Sequence, residues 1–169
     1  EGGEAGEGVF RLWWPLLRAL AQGVSDARLK VRSKALEVLK SVLGRHGGAF
    51  SAQTMAVVFR SVLFPILLSA AADTTPQPRS AWPTQYSQQP PPPAHADSWI
   101  GSVGAGVLAL VVDLYKQFRQ RLVPLLPDVL SALEGAVHQS TESWATMGVT
   151  ALSALLLTLG DAEGGQGGQ

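Results

Sequence analysis

Side chains that often take part in catalysis or metal binding are few in this sequence and far apart. It contains no cysteine, and its three histidines are His46, His95 and His138. Metal sites need ligands at short, regular spacings, which these histidines lack. No segment matches a nucleophile elbow or a glycine-rich phosphate loop between a strand and a helix. We therefore predict a protein that is not an enzyme, with no catalytic residue, no metal site, no cofactor and no small-molecule substrate.

Positive charge is concentrated in the first third of the chain, although the formal net charge is zero. Residues 9–60 hold nine basic and two acidic side chains. Lys30 and Lys34 are four residues apart, which places them on one face of a helix. That face is either a solvated surface or a contact for an acidic protein or an anionic membrane. Nucleic acid is not expected, because no basic module interleaved with aromatic residues is present. The candidate patch consists of Arg28, Lys30, Lys34 and Lys40.

Helices must position these side chains, because apolar residues recur at helical spacing and no run alternates in the manner of a strand. Ser25 or Asp26 is expected to cap the second helix and Ser51 the third. Pro65 should bend the third helix or end its regular part. The longest apolar run, Val103–Val112, is too short to span a bilayer. The six predicted helices are Phe10–Gln22, Ala27–Arg45, one from Ser51 to Leu67, one from Asp97 or Ser98 to Leu122, one entered at Pro124 and Pro127, and one from Ser140 to Gly160.

The composition divides the chain into two helical parts and three segments with little capacity to pack. Residues 1–8 and 161–169 are rich in glycine and acidic residues, and both are predicted to be disordered tails. Residues 73–96 hold seven of the 11 prolines and are predicted to be a disordered Pro/Gln-rich linker. Its Pro90–Pro93 run is either a spacer or a ligand for a proline-binding groove. Residues 9–72 and 97–160 are predicted to hold helices one to three and four to six.

The second, fourth and sixth helices share an internal repeat. In each, an acidic residue is followed by a small residue nine positions later and by leucines 13 and 17 positions later. Repeats of this length are typical of stacked helix pairs, in which each pair covers the apolar face of its neighbour. The predicted fold is therefore an all-α, HEAT- or armadillo-like solenoid of about three antiparallel helix pairs. The three copies are Asp26, Ala35, Leu39, Leu43; Asp97, Gly106, Leu110, Leu114; and Glu142, Ala151, Leu155, Leu159.

The first copy resembles the HEAT signature, in which an acidic residue is followed by Val-Arg. In HEAT arrays this acid and arginine tend to bridge neighbouring repeats. The same stretch, with the segments on either side of it, resembles the C-terminal region of the large brefeldin A-inhibited guanine-nucleotide exchange factors for ARF GTPases, and parts of the related Mon-two scaffolds. The residues that carry the resemblance are Trp14, Pro15, Asp26, Val31, Arg32, Ala35, Leu36, Leu39, Phe64 and Pro65.

The resemblance implies a non-catalytic scaffold or regulatory segment, since exchange activity in that family resides in a Sec-seven domain that this chain does not resemble. It implies a cytoplasmic protein, peripheral at Golgi or trans-Golgi membranes, that acts in vesicle-mediated transport. Its partners would be proteins: a small GTPase, other trafficking factors or other domains of the same polypeptide. The alternative is a generic HEAT-repeat adaptor in another pathway, such as nuclear transport or phosphatase assembly.

Overall fold

A computed structural model of the chain describes residues 3–68, 103–139 and 141–163, and these residues form helices joined by short turns. The predicted linker 73–96, which contains His95, and the repeat residue Asp97 lie outside the described residues. Single 3₁₀ turns, Gly47–Ala49 and Val123–Leu125, precede two of the helices. The helices are α1 (Gly3–Val24), α2 (Leu29–His46), α3 (Ala52–Leu68), α4 (Ala105–Gln117), α5 (Arg119–Leu122), α6 (Leu126–Val137) and α7 (Glu142–Glu163).

The long helices form two layers of three. One layer contains α1, α3 and α6, and the other contains α2, α4 and α7. Helices α1 and α2 pack as an antiparallel pair, and so do α6 and α7. Lys40 and Gly44 of α2 bond to Asp113 and Gln117 of α4, so these two helices run side by side in the same direction. The all-α repeat fold predicted from the sequence is confirmed.

The repeated leucines form the centre of the second layer. Leu39, Leu110 and Leu155 occupy equivalent positions in the three repeats, and all three side chains are fully buried. Helix α4 lies between α2 and α7 and is buried on most of its circumference. The predicted repeat therefore corresponds to one layer of stacked helices, α2, α4 and α7.

Small residues lie where helices approach most closely. A Cβ atom built on Gly23 of α1 would lie 2.9 Å from the Cβ of Ala35 in α2. A Cβ on Gly106 of α4 would lie 2.6 Å from Cδ2 of Leu36, also in α2. The first contact is within a pair, as the repeat predicts, whereas the second joins two successive pairs. Small residues thus set the distance between helices both within a pair and between successive pairs.

Three helix ends depart from the sequence prediction, and one agrees with it. The Ser51 hydroxyl accepts a hydrogen bond from the Thr54 amide at 3.1 Å, which confirms the predicted cap of α3. Helix α2 begins at Leu29, two residues later than predicted, because Asp26 bonds to Arg28 instead of capping a helix. Helix α1 extends back to Gly3, and α7 continues past Gly160 to Glu163.

Helix α3 contains a π turn at Phe59–Leu63, in which the Phe64 amide bonds to the Phe59 carbonyl. Pro65 follows directly; it has no amide hydrogen, and its ring would clash with a carbonyl in the preceding turn of an α-helix. Widening the preceding turn removes that clash and lets the helix continue to Leu68. Pro65 therefore changes the regular part of the helix, as predicted, without ending it.

Helix α7 has a property that the sequence analysis missed. Its segment Glu142–Gly160 is long and apolar enough to cross a membrane, by length and composition alone, and only 22% of it is buried. Serines and threonines interrupt the apolar residues of α7, so the sequence of this helix contains no long uninterrupted apolar run. One face of α7 packs on α4 and α6, as expected of a helix within a repeat stack.

Candidate interaction surfaces

The turn between α1 and α2 holds the HEAT-like residues, but they do not bridge two repeats. The Asp26 carboxylate accepts hydrogen bonds from the backbone amide and the guanidinium of Arg28, at 2.8 and 2.9 Å. Arg32 is buried, and its Nη1 donates to the carbonyls of Asp26 and Ala27 at 3.0 and 3.1 Å. The ladder implied by the HEAT resemblance is therefore absent from this turn. Instead, Arg32 fixes the entry to α2.

The hydrogen bonds from Arg28 lower the pKa of the Asp26 carboxyl group from 3.8 to about 2. The side-chain bond is the largest cause, followed by the backbone bond, and the charges of Arg28 and Arg32 act in the same direction. The same ion pair raises the pKa of Arg28. Asp26 thus stays ionised throughout the physiological range and orders the turn.

Three members of the predicted basic patch form ion pairs. Arg28 pairs with Asp26, and Lys34 pairs with Glu37 at 2.8 Å. Lys40 pairs with Asp113 at 3.2 Å. Lys30 is exposed and has no ion pair within the described part of the chain. All four residues are exposed, with Arg28 in the turn before α2 and the three lysines on α2, and much of their charge is compensated locally. A role for this patch in binding stays a prediction.

Other predicted residues have structural contacts. His46 stacks on Trp13, with ring centroids 4.9 Å apart, and Nε2 of His138 lies 3.6 Å from Glu134. Phe64 packs edge-on against Phe59. Of the remaining motif residues, Leu39 is fully buried and Ala35 nearly so; Trp14, Val31 and Leu36 are partly exposed and Pro15 is exposed.

A shallow apolar groove runs between α4 and α7, with Leu108 and Val112 on one side and Met147 on the other. Two threonines of α7 line it, yet they add little polarity. The hydroxyl of Thr146 donates to the carbonyl of Glu142 and that of Thr150 to the carbonyl of Thr146, both at 2.9 Å. Because threonine hydroxyls bonded in this way are turned towards the helix backbone, the groove presents mainly methyl groups.

A second apolar surface lies on the side of α7 that faces away from α4. Its members are spaced three and four residues apart, so they form one stripe along the helix. Val149 and Leu156 are 50% and 53% exposed, whereas typical core leucines here are fully buried. We call this surface the α7 stripe; it consists of Ala145, Val149, Leu152, Leu156 and Leu159. Within it, Leu156 is exposed, whereas Leu152 and Leu159 are partly buried and pack against the core.

Comparisons with known proteins agree with the resemblance seen in the sequence. Residues 13–89 match the family model described as GBF1-like, tetratrico peptide repeat region. The chain is 32% identical over 152 residues to brefeldin A-inhibited guanine nucleotide-exchange protein 1 of Arabidopsis thaliana, which covers 88% of this chain and 9% of that protein. It is 26% identical over 146 residues, 86% of the chain and 8% of the relative, to the ADP-ribosylation factor guanine nucleotide-exchange factor sec71 of Schizosaccharomyces pombe. No solved structure matches.

The chain is therefore similar to a part of these exchange proteins, and it spans less than a tenth of the length of the curated relatives that it matches. The family model describes tetratricopeptide repeats, whereas the sequence analysis predicted HEAT repeats. Both kinds stack antiparallel helix pairs, and they differ in period, about 34 residues against about 40–47.

Proposed function

We propose that this chain is a non-catalytic helical-repeat segment of an ARF guanine-nucleotide exchange factor, where it acts as a scaffold in Golgi vesicle traffic. The observation that carries the proposal is the 32% identity over 88% of the chain to a protein named as such a factor, of which the chain covers only 9%. Residues 13–89 match a family model of a tetratrico peptide repeat region, which favours a role in supporting or regulating the rest of the factor.

The α7 stripe is the surface on which this role depends. Within the stack, α2 packs on α4, and α4 packs on α7. The stripe lies on the next side in the same direction, and its residues Val149 and Leu156 are half exposed. We propose that another helical segment of the same exchange factor covers it, as one helix pair covers the next in a solenoid. The acidic residues at both ends of α7, and the absence of lysine and arginine from its sequence, favour a protein over an anionic membrane as the partner.

The test compares Leu156→Lys in this chain alone and in the natural protein that contains it. In the isolated chain the lysine stays in water, so the free energy of unfolding should change by less than about 0.5 kcal/mol. In the natural protein the same lysine would be forced into an apolar contact, and the cost should be about 1–3 kcal/mol. Urea unfolding, followed by the fluorescence of the tryptophans, measures both.

Leu157→Lys is the matched control. Leu157 is 71% exposed and lies one position off the stripe, so its substitution should be tolerated in both proteins. Equal, small effects of Leu156→Lys in the two proteins would refute the covered stripe. A natural gene product consisting of this chain alone, or one that contains further repeats but no exchange-factor catalytic domain, would refute membership of an exchange factor and favour a generic adaptor.

Nucleotide-exchange assays address the absence of catalysis. The isolated chain, mixed with a purified ARF GTPase, should release bound nucleotide no faster than the GTPase does alone. Acceleration by this chain would contradict the proposal. Binding of the GTPase without acceleration would instead identify it as a partner of the scaffold.

A further inference from the structure

A concave, strongly basic pocket lies at the edge of the stack, away from the predicted patch. It is formed where the turn after α2 meets the end of α4 and the short helix α5. Three cationic side chains, Lys116, Arg119 and Arg121, line it, together with Gly48, Phe118 and Val123. No carboxylate is among the residues that line this pocket in the described part of the chain.

Both arginines are held in place by backbone carbonyls. Nη1 of Arg121 donates to Gly48 at 3.0 Å and to Phe50 at 3.3 Å, in the turn between α2 and α3. Nη1 of Arg119 donates to Thr158 of α7 at 3.3 Å. A guanidinium carries five N–H donors, so most of the donors of each arginine stay available. Ordering these side chains in advance lowers the entropic cost of binding a ligand.

The partial negative charges of the helix C-termini beside the pocket balance only part of its positive charge. Helices α2 and α4 end at His46 and Gln117, and each helix C-terminus contributes a partial charge of about −0.5. Three cations against two such ends leave a net charge of about +2. In the predicted patch, by contrast, carboxylates pair with three of the four cations. Lys116 has no ion pair among the described residues. Unlike the two arginines, it has no recorded hydrogen bond to a backbone carbonyl of these residues either.

We propose that this pocket binds a phosphate monoester group, of the kind carried by an inositol phosphate or by an inositol-lipid headgroup. A phosphate monoester carries a charge of about −1.5 to −2 at neutral pH and three acceptor oxygens, which matches both the net charge and the free donors. Arginine forks bind such oxygens in pairs. Val123, 58% exposed at the rim, adds an apolar contact that a lipid headgroup region can cover. This proposal is independent of membership of an exchange factor.

The test measures the affinity of the full chain, at physiological ionic strength, for three probes. They are soluble inositol 1,4-bisphosphate, phosphatidylcholine vesicles containing phosphatidylinositol 4-phosphate, and vesicles of equal total charge that contain phosphatidylserine instead. Binding of either inositol probe, with weaker binding to phosphatidylserine, supports the pocket. If the soluble probe binds as tightly as the vesicles, the source is a soluble phosphate; if the vesicles bind more tightly, it is a lipid.

Variants then locate the site. Lys116→Gln removes one charge and no recorded hydrogen bond, and should weaken binding about tenfold, the effect of losing one charge-assisted hydrogen bond. Arg121→Lys keeps the charge but loses the planar fork, and should weaken binding several-fold. Lys30→Gln is the matched control, because it removes one charge from an exposed lysine outside the pocket, and it should leave the affinity unchanged. Circular dichroism and thermal unfolding check that each variant is folded.

Three results would overturn the proposal. The first is unchanged affinity in Lys116→Gln and Arg121→Lys. The second is an equal loss in Lys30→Gln, or equal binding to phosphatidylserine vesicles, since either indicates attraction to net charge alone. The third is tighter binding of a phosphoserine peptide than of both inositol probes, which would assign the pocket to a phosphorylated protein.

Discussion

Arg60 of α3 donates a 2.7 Å hydrogen bond to Asp128 of α6 and so joins the second helix pair to the third. Lys40 and Asp113 form a second tie, between α2 and α4 in the other layer. Both pairs connect successive repeats, which is the role that the HEAT resemblance assigned to Asp26 and Arg32. In this chain the ties between repeats therefore lie along the helices, and the turn has its own local ion pair.

A double-mutant cycle with Arg60→Ala and Asp128→Ala should give a coupling energy of about 0.2–1 kcal/mol, because both side chains are partly exposed to water. Salt screens exposed pairs, so the coupling should fall as the ionic strength is raised. Urea unfolding of the two single variants and the double variant measures it. A coupling that is insensitive to 1 M salt would contradict the exposure seen here.

The close approach of α6 and α7 at Gly148 predicts opposite effects for two glycine substitutions. A Cβ on Gly148 would lie 2.8 Å from the backbone nitrogen of Val137, so Gly148→Ala should destabilise the fold by about 1–3 kcal/mol. Gly135, inside α6, has nothing within 4 Å of its Cβ position. Gly135→Ala should therefore stabilise the fold by about 0.5–1 kcal/mol, because alanine favours the helix. Thermal unfolding of the two variants measures both changes in stability. Changes of the same sign would refute the close approach of α6 and α7 at Gly148.

The buried guanidinium of Arg32 should matter more for stability than the exposed one of Arg28. Arg32→Ala leaves the carbonyls of Asp26 and Ala27 without their donor and removes a buried stem, at a cost of about 1–3 kcal/mol. The side chain of Arg28 is 75% exposed, so Arg28→Ala should destabilise the fold less than Arg32→Ala does. Chemical denaturation of both variants tests the order, which would be reversed if the Asp26–Arg28 pair alone held the turn.

The lowered pKa of Asp26 makes a prediction about acid. Since the folded value is about 2 and the reference value is 3.8, this carboxylate contributes stability that is fully present above pH 3.8 and is lost as the pH falls towards 2. In the folded protein, NMR titration of the carboxyl carbon should give a midpoint near 2. Arg28→Gln should move that midpoint upwards, because its side-chain bond is the largest cause of the shift. A midpoint near 3.8 in the unmodified chain would contradict the hydrogen bonds.

The layers of the fold were predictable because they depend on spacing along the chain. Leu39, Leu110 and Leu155 occupy matching positions in three helices of the sequence, and these positions predict one buried layer. All three side chains are buried in the structure. The contacts between repeats were not predictable in this way. Lys40 and Asp113 are 73 positions apart, and whether they meet depends on how α2 and α4 are rotated against each other.

The same limit applies to the candidate sites. Charge density along the sequence indicated Arg28, Lys30, Lys34 and Lys40, whereas carboxylates from the same helix and from α4 neutralise most of that patch. The sequence did not predict the basic pocket, because Lys116, Arg119 and Arg121 lie near the end of the predicted fourth helix. The spacing of these three residues along the sequence does not predict that the turn after α2 lies beside them and completes the pocket. A run of cations next to a predicted break between two helices was the one available signal.

The π turn in α3 affects how this chain should be aligned with its relatives. The buried residues of α3 include three pairs spaced four residues apart rather than 3.6, namely Val58 with Phe59, Val62 with Leu63, and Ile66 with Leu67. Such a turn holds one residue more than a regular one, so the positions after Pro65 are offset by one from those before Phe59. A relative that lacks this proline should match α3 with a single-residue gap near Phe59, and an ungapped alignment would pair core positions with solvent positions from there to Leu68.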